Sequence, residues 1–221
     1  MKKAFKYRIY PHKAQQALLQ STFGCCRFVY NKTLDIKKTA YATDKTRLSK
    51  FACINRMTAL QDEHTWLRAV PAVCLVQAVD NMDKAYQHFF KSGKGYPKFK
   101  TKCHSRKSCR FPDQSSDVLQ DISRLKLSKI GLVRYKKDCE FVGNLRLIVV
   151  SQDSDGKYYA SCVVETGVEA PKPQPVEAST TVGIDLGLKD FIVTSDGRKI
   201  PNPRFYTTID RRIARLQKHE S

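Results

Sequence analysis

The stretch Val182-Gly183-Ile184-Asp185-Leu186-Gly187-Leu188 sets one carboxylate between two glycines at alternate positions. In a β-strand alternate residues share a face, so Ile184, Leu186 and Leu188 are expected on a buried side and Gly183, Asp185 and Gly187 on the other. With no side chain on either flank, a bulky anion and a hard metal ion can approach Asp185 closely. That is the chemistry of a carboxylate holding Mg²⁺ against a scissile phosphate. The same residues allow a plainer reading, in which the glycines mark a bulge and Asp185 caps or pairs locally. Asp190 and Asp196 fall at turns and read as turn residues rather than further ligands.

A second set of residues is suited to binding. Between positions 91 and 110 stand eight basic residues and no acid: Lys91, Lys94, Lys98, Lys100, Lys102, Arg106, Lys107 and Arg110. Tyr96, Phe99 and Phe111 are interleaved with them. Cations neutralise phosphates and aromatic rings stack on bases, so the run reads as a nucleic-acid strip, with a solvated flexible loop as its alternative. Upstream, Gln77, Asn81, Lys84 and His88 share one face of a helix. Gln and Asn are suited to adenine edges in a major groove, although a merely polar outer face has the same pattern. Cys103, His104 and Cys109 match no zinc-knuckle spacing and have no evident fourth ligand, so zinc is not expected.

Charge points the same way. Of 221 residues, 40 are Lys or Arg and 21 Asp or Glu, a formal charge of +19 that calls for a polyanionic partner. Nucleic acid ranks ahead of an anionic membrane surface, because basic amphipathic helices of the interfacial kind are not evident. No run approaches the ~18 apolar residues of a membrane span. The basic start Met1–Arg8 is followed by no apolar signal core. The eight cysteines are scattered without the spacing of a disulfide framework, and read as the reduced thiols of a cytoplasmic protein.

The elements that must position these residues can be read from periodicity. Phe5–Tyr10 alternates as a strand and Pro11 ends it. Leu19, Phe23, Cys26, Tyr30 and Leu34 lie on one helical face, a weaker pattern over 47–62 predicts a second helix, and Leu75, Val79, Met82, Tyr86 and Phe89 stripe a third after Pro71. Short β-type runs follow at Arg124–Leu127, Leu132–Tyr135, Leu145–Ser151 and Tyr158–Glu165, the last two joined by an Asp153-Ser154-Asp155-Gly156 turn. Residues 169–175 carry a proline at every second position and read as an extended linker. Beyond it, Val182–Leu188 and Phe191–Ser195 predict a hairpin, and a basic helix starts near Thr207.

Gly183-Ile184-Asp185-Leu186-Gly187-Leu188-Lys189-Asp190-Phe191 resembles the first motif of RuvC-type nuclease domains, and more closely that of the insertion-sequence-encoded TnpB/OrfB proteins. Phe5–Pro11, Phe23-Gly24, Arg27–Asn31, Ala85–Phe90, Gly95–Lys100 and Leu125–Gly131 follow in the order of that family. The resemblance implies an RNA-guided, Mg²⁺-dependent DNA endonuclease, with guide-type RNA and DNA as partners and Asp185 as catalytic and metal-binding residue. It also implies an α+β architecture: a helical recognition block (11–92) inserted in a small β-barrel, wedge-like domain (1–10 and 93–165). A Pro-rich linker (166–181) and the truncated start of a ribonuclease-H-like RuvC-type α/β domain (182–221) would follow. Members of the family continue to a glutamate motif, a zinc ribbon and a final aspartate motif, none of which is in this chain. The expectation is therefore a nucleic-acid-binding protein that does not cleave alone. The alternatives are a nuclease-dead regulator or a non-functional insertion-sequence remnant.

Overall fold

The computed structural model describes residues 1–103, 105–172, 177 and 181–219. The chain is mixed α and β and divides into two compact units, Met1–Glu169 and Ala170–Ser221.

In the first unit, strand β1 (Lys2–Tyr10) passes through Pro11 into α1 (Lys13–Asp44). His12 starts that helix with a reciprocal cap: Gln15 N donates to its Nδ1 at 3.4 Å, and its own N donates to Gln15 Oε1 at 3.1 Å. Helix α2 (Lys50–Glu63) starts at Ser49, whose hydroxyl accepts from Ala52 N at 3.2 Å. A 3₁₀ turn at Thr65–Ala69 and Pro71 lead into α3 (Ala72–Ser92), which Gly93 ends in the left-handed conformation. The expected α1 face of Leu19, Phe23, Cys26, Tyr30 and Leu34 is buried throughout, as are Leu75, Val79 and Met82 of α3. Among the described residues, no helix is long and apolar enough to cross a membrane.

The rest of this unit is one antiparallel sheet. Strands β2 (Lys107–Pro112), β3 (Ser116–Leu119), β4 (Arg124–Leu127), β5 (Gly131–Tyr135), β6 (Asn144–Gln152) and β7 (Tyr158–Glu165) join β1 in the order β2-β6-β7-β1-β5-β4-β3. β1 is central, so the first strand is held by partners more than 120 residues further along the chain. Its inward residues Tyr7 and Ile9 belong to the same hydrophobic core as Leu19, Leu75, Phe111 and Ile148, which makes helices and sheet one packed body.

Three residues, Asp113–Ser115, connect the two edge strands β2 and β3. Such a link spans at most ~14 Å, so the sheet must curl until its edges nearly meet. Ser116 Oγ donates to the carbonyls of Phe111 and Pro112 (3.3 and 3.0 Å) across that corner. No ladder joins β2 to β3 among the described residues, and the expected barrel is instead a curled, open sheet. Pro112, which has no N–H to give, ends β2, and β3 is only four residues long.

The second unit holds β8 (Ile184–Asp185), β9 (Asp190–Thr194), β10 (Lys199–Pro201) and α4 (Phe205–His219), the strands pairing in the order β10-β9-β8. None of its described residues is buried. The expected buried side of the Asp185 strand is therefore not realised: Ile184, Leu186 and Leu188 are 64%, 71% and 93% exposed. Much of the expected linker, 173–176 and 178–180, lies outside the described residues.

Candidate nucleic-acid interface

Helix α3 packs against β2 and α1, and one cleft opens along that junction. Gln77 and Asn81 of α3, Arg27 of α1, Lys100, and Arg106, Lys107 and Arg110 at β2 line it together. Six of the nine residues that the sequence nominates for binding thus converge on one place. Two periodicities bring this about. Residues 77 and 81 are one helical turn apart on α3, while β2 turns Cys109 and Phe111 into the core and leaves Ser108 and Arg110 half-buried. The last part of the basic strip is therefore a strand rather than a loop. Lys94, Lys98 and Lys102 are exposed on the segment before it and do not line the cleft. Lys84 is turned to Asp80, 2.7 Å away, and His88 is exposed.

Among the described residues, the cleft carries five cations and no lining carboxylate. Asn31 of α1 anchors the strip at its middle: its Nδ2 donates to the Lys100 carbonyl (2.9 Å) and its Oδ1 accepts from the Lys100 N–H (2.8 Å). Much of the Lys100 side chain is exposed, yet its ammonium lies 4.0 Å from the centroid of the Tyr30 ring. Loss of water there holds Lys100 below the ordinary lysine pKa, and the charge of Arg110 acts in the same direction. Cys26, Cys74 and Cys109 are buried along the lining, with Cys26 Sγ donating to the Cys74 carbonyl at 3.4 Å. Burial pushes the Cys26 and Cys109 thiols well up. They stay neutral at physiological pH and leave the positive field uncancelled.

A second basic patch escaped sequence reasoning. It lies on the outer face of the sheet, where Lys6, Arg8 and Tyr10 alternate with the buried Tyr7 and Ile9. Register sets Arg8 beside Tyr159, Tyr10 beside Arg134, and Arg134 beside Arg124. Lys6 Nζ stands 4.2 Å from the Tyr159 ring centroid, and the Arg8 guanidinium stands 5.4 Å from the same ring. Like charges directly opposite in a sheet are unfavourable, and Arg8 Nε is buried with no hydrogen-bond partner. Period-two alternation in Lys6-Tyr7-Arg8-Ile9-Tyr10 was the available signal; the juxtaposition of Arg124 and Arg134 needed the register.

Asp185 pairs with Val193 at the end of the two-residue β8 and is exposed. Gly187 has a local reason to be glycine, since a Cβ there would stand 3.0 Å from the Asp190 carbonyl oxygen. Asp196 interacts with Thr194 Oγ1 and lies 3.2 Å from Arg198, consistent with a turn residue. Among the described residues no group of three or more His, Cys, Asp and Glu is placed to hold a metal ion. One isolated carboxylate does not fit a Mg²⁺ pair, which needs several fixed oxygen ligands. Of the residues weighed for zinc, Cys103 is exposed, Cys109 is buried, and His104 lies outside the described residues.

Comparison with known proteins adds the family. Over its whole length the chain is 31% identical to a candidate RNA-guided DNA endonuclease of Streptomyces pristinaespiralis, covering 55% of that protein. Over 99% of its length it is 28% identical to InsQ of Escherichia coli K12, described in the same terms, of which it covers 53%. The chain thus spans about half the length of these curated relatives. A chain of a Cas12f1–sgRNA–target DNA complex aligns over 98% of this chain and 61% of its own, at 12% identity and a TM-score of 0.40. Residues 1–46, which hold β1, α1 and its cap, match the helix-turn-helix domain of IS605-type OrfB proteins. That N-terminal domain, with two relatives matched along all or nearly all of this chain, supports membership of the TnpB/OrfB family.

Proposed function

We propose that this protein is a TnpB-like, transposon-encoded nucleic-acid-binding protein of the RNA-guided DNA endonuclease family. The cleft between α1, α3 and β2 would be its main contact with RNA or DNA. The observation that carries this reading is the convergence of Arg27, Lys100, Arg106, Lys107 and Arg110 with Gln77 and Asn81 in a cleft without a carboxylate. The cations hold phosphates, and the two carboxamides meet base edges. The helical block 11–92 and the sheet of 1–10 and 93–165 act as recognition and wedge-like parts on one core. Residues 166–181 link them to a RuvC-like part at 182–221.

Divalent-metal chemistry would enter through Asp185, which supplies one oxygen ligand of the several that two Mg²⁺ ions need. Residues 1–221 by themselves are therefore expected to bind without cleaving, and a nuclease-dead regulator is the second reading. Fluorescence titrations of a labelled duplex against salt test the binding. Replacing Arg106, Lys107 and Arg110 by Ala should weaken affinity and lower the salt slope by about 0.9 per lost phosphate contact. A slope equal to that of the unaltered protein would sink the assignment. Mg²⁺-dependent nicking that disappears in Asp185→Ala would refute the non-cleaving reading.

A further inference from the structure

A second cavity, of about 430 Å³, lies between the end of α1, the turn before α2 and the C-terminal half of α3. Its walls are built from aromatic rings: Tyr41, Tyr86, Phe89, Phe90 and Tyr96. Four of them form one connected system, with Tyr86 stacked on Phe90 at a 6.3 Å centroid separation and 19° between planes, and Phe89 edge-on to Tyr96 at 5.3 Å, while Tyr41 lines the cavity apart from them. A 2.7 Å hydrogen bond between the Tyr86 and Tyr96 hydroxyls ties the two sides together. Core rings would be covered, yet Phe90 is 72% exposed and Tyr41 49%.

The charge around these rings selects the kind of occupant. Lys37, Arg47 and Lys91 line the cavity beside a single acid, Asp83. Asp83 is already neutralised: Lys37 Nζ lies 2.9 Å from its Oδ1, and Gln87 Nε2 donates to its Oδ2 at 2.9 Å. A cationic guest, the usual tenant of an aromatic cage, would meet the surplus of positive charge. An aromatic guest with an attached anion has both needs met, its flat face by the rings and its charge by Arg47 and Lys91. The volume is within the ~300–1,000 Å³ of ordinary small-ligand sites.

We propose that this cavity binds one unpaired nucleobase of a single strand, stacked against the exposed rings of Tyr41 and Phe90, with its phosphate at Arg47 and Lys91. This rests on the nucleic-acid reading above and adds to it a preference for unpaired nucleotides at a place separate from the cleft. Base–aromatic stacking is sequence-tolerant, because every base has a π-face.

The test uses the full chain and a ten-nucleotide single strand carrying 2-aminopurine, with the same sequence as a duplex for comparison. The unaltered protein should quench 2-aminopurine fluorescence on binding the single strand. Phe90→Ala with Tyr41→Ala should abolish the quenching and weaken single-strand affinity roughly 5- to 150-fold, the range of one lost base stack. Duplex affinity should stay within twofold. Both side chains are exposed, so folding should survive, and Phe90→Trp, which restores a stacking face, should recover the quenching. Binding without quenching, or an equal loss on single strand and duplex, would overturn the proposal while leaving the cleft intact as an interface. Loss of sedimentation with phosphatidylserine vesicles in the Ala variant, with single-strand binding kept, would also overturn it and give the cavity to a lipid surface. No binding of either oligonucleotide by the unaltered chain would refute the underlying reading itself.

Discussion

Asn31 does not line the cleft, but it decides where Lys100 stands. Its carboxamide grips both the N–H and the carbonyl of Lys100, two bonds that no shorter or singly functional side chain reproduces. Asn31→Ala should therefore lower stability by about 1–2 kcal/mol, the usual worth of such bonds. It should also weaken duplex binding although no charge is removed, and a denaturant melt with a binding titration on the same sample measures both. Asn31→Asp keeps the acceptor and loses the donor, so its loss of stability should be smaller. Binding that stays at the level of the unaltered protein in Asn31→Ala would show that the strip holds its place unaided.

The cysteines permit a second residue-scale prediction. Cys103 and Cys139 are exposed and the other six are buried, so a thiol reagent should modify two groups quickly and the rest only on unfolding. Burial also pushes the Cys162 thiol up to about 12 from an ordinary value of 9.0. The folded state then holds a proton that the unfolded state releases between those limits. Stability is full below about pH 9 and falls by ~1.4 kcal/mol per pH unit for each such thiol until pH 12. Melting temperature measured from pH 8 to 11 should drop steeply, and Cys162→Ala should make the slope shallower. An equal slope in that variant would show that other groups govern the alkaline limit.

At the level of elements, two glycines differ in what they allow. Gly143, just before β6, has φ +132, and a Cβ there would stand 2.4 Å from the Glu165 carbonyl oxygen of β7. Gly93, at the end of α3, has φ +60 and open space around it. Gly143→Ala must push two paired strands apart and should cost more than about 3 kcal/mol or prevent folding, whereas Gly93→Ala should cost only about 1 kcal/mol. Urea melts of the two variants compare them directly, and equal losses would mean that the β6–β7 pair yields without penalty.

The same elements show what could be read in advance. The α1 stripe from Leu19 to Leu34 was legible because helical burial depends on neighbours three and four residues away, and β4 and β7 were legible from alternation alone. β2 was not: Lys107-Ser108-Cys109-Arg110 has the composition of a solvated loop, and its ladder with β6 together with the burial of Cys109 and Phe111 makes it a strand. The binding residues were recognisable by type, but their meeting depends on α3 lying along β2, a tertiary contact without local signal. Arg27 was missed for that reason, since on α1 it reads as one polar position of a helix with a single buried face. The pairing of Arg124 with Arg134 was equally hidden, because register is set by the turn and by burial rather than by the arginines.

At the scale of the whole molecule, the two units differ in how they hold themselves together. Met1–Glu169 has a continuous core with Tyr7, Leu19, Leu75, Phe111 and Ile148 nearly or wholly excluded from water. In Ala170–Ser221, three short strands and α4 leave Leu188 at 93% and Tyr206 at 81% exposure, and no described residue is buried. Burial of a large apolar side chain contributes roughly 1.5–3 kcal/mol, so a unit without any buried residue has little to oppose chain entropy. A three-stranded sheet with no covered apolar face is marginal in water. Its amides should therefore open by local fluctuation while those of the first unit open only near global unfolding. Limited proteinase K digestion of the full chain should cut first beyond residue 169, leaving a persistent fragment close to residues 1–169. Hydrogen exchange read by mass spectrometry should show 184–194 exchanging within seconds, while 75–82 and 158–164 stay protected. Nucleic acid bound in the cleft should slow exchange in α3 and β2 without changing residues 184–194. If 184–194 proved as slow as α3 in the free protein, the exposed rings and leucines of the second unit would have to be covered in solution, and the contrast between the two units would fail.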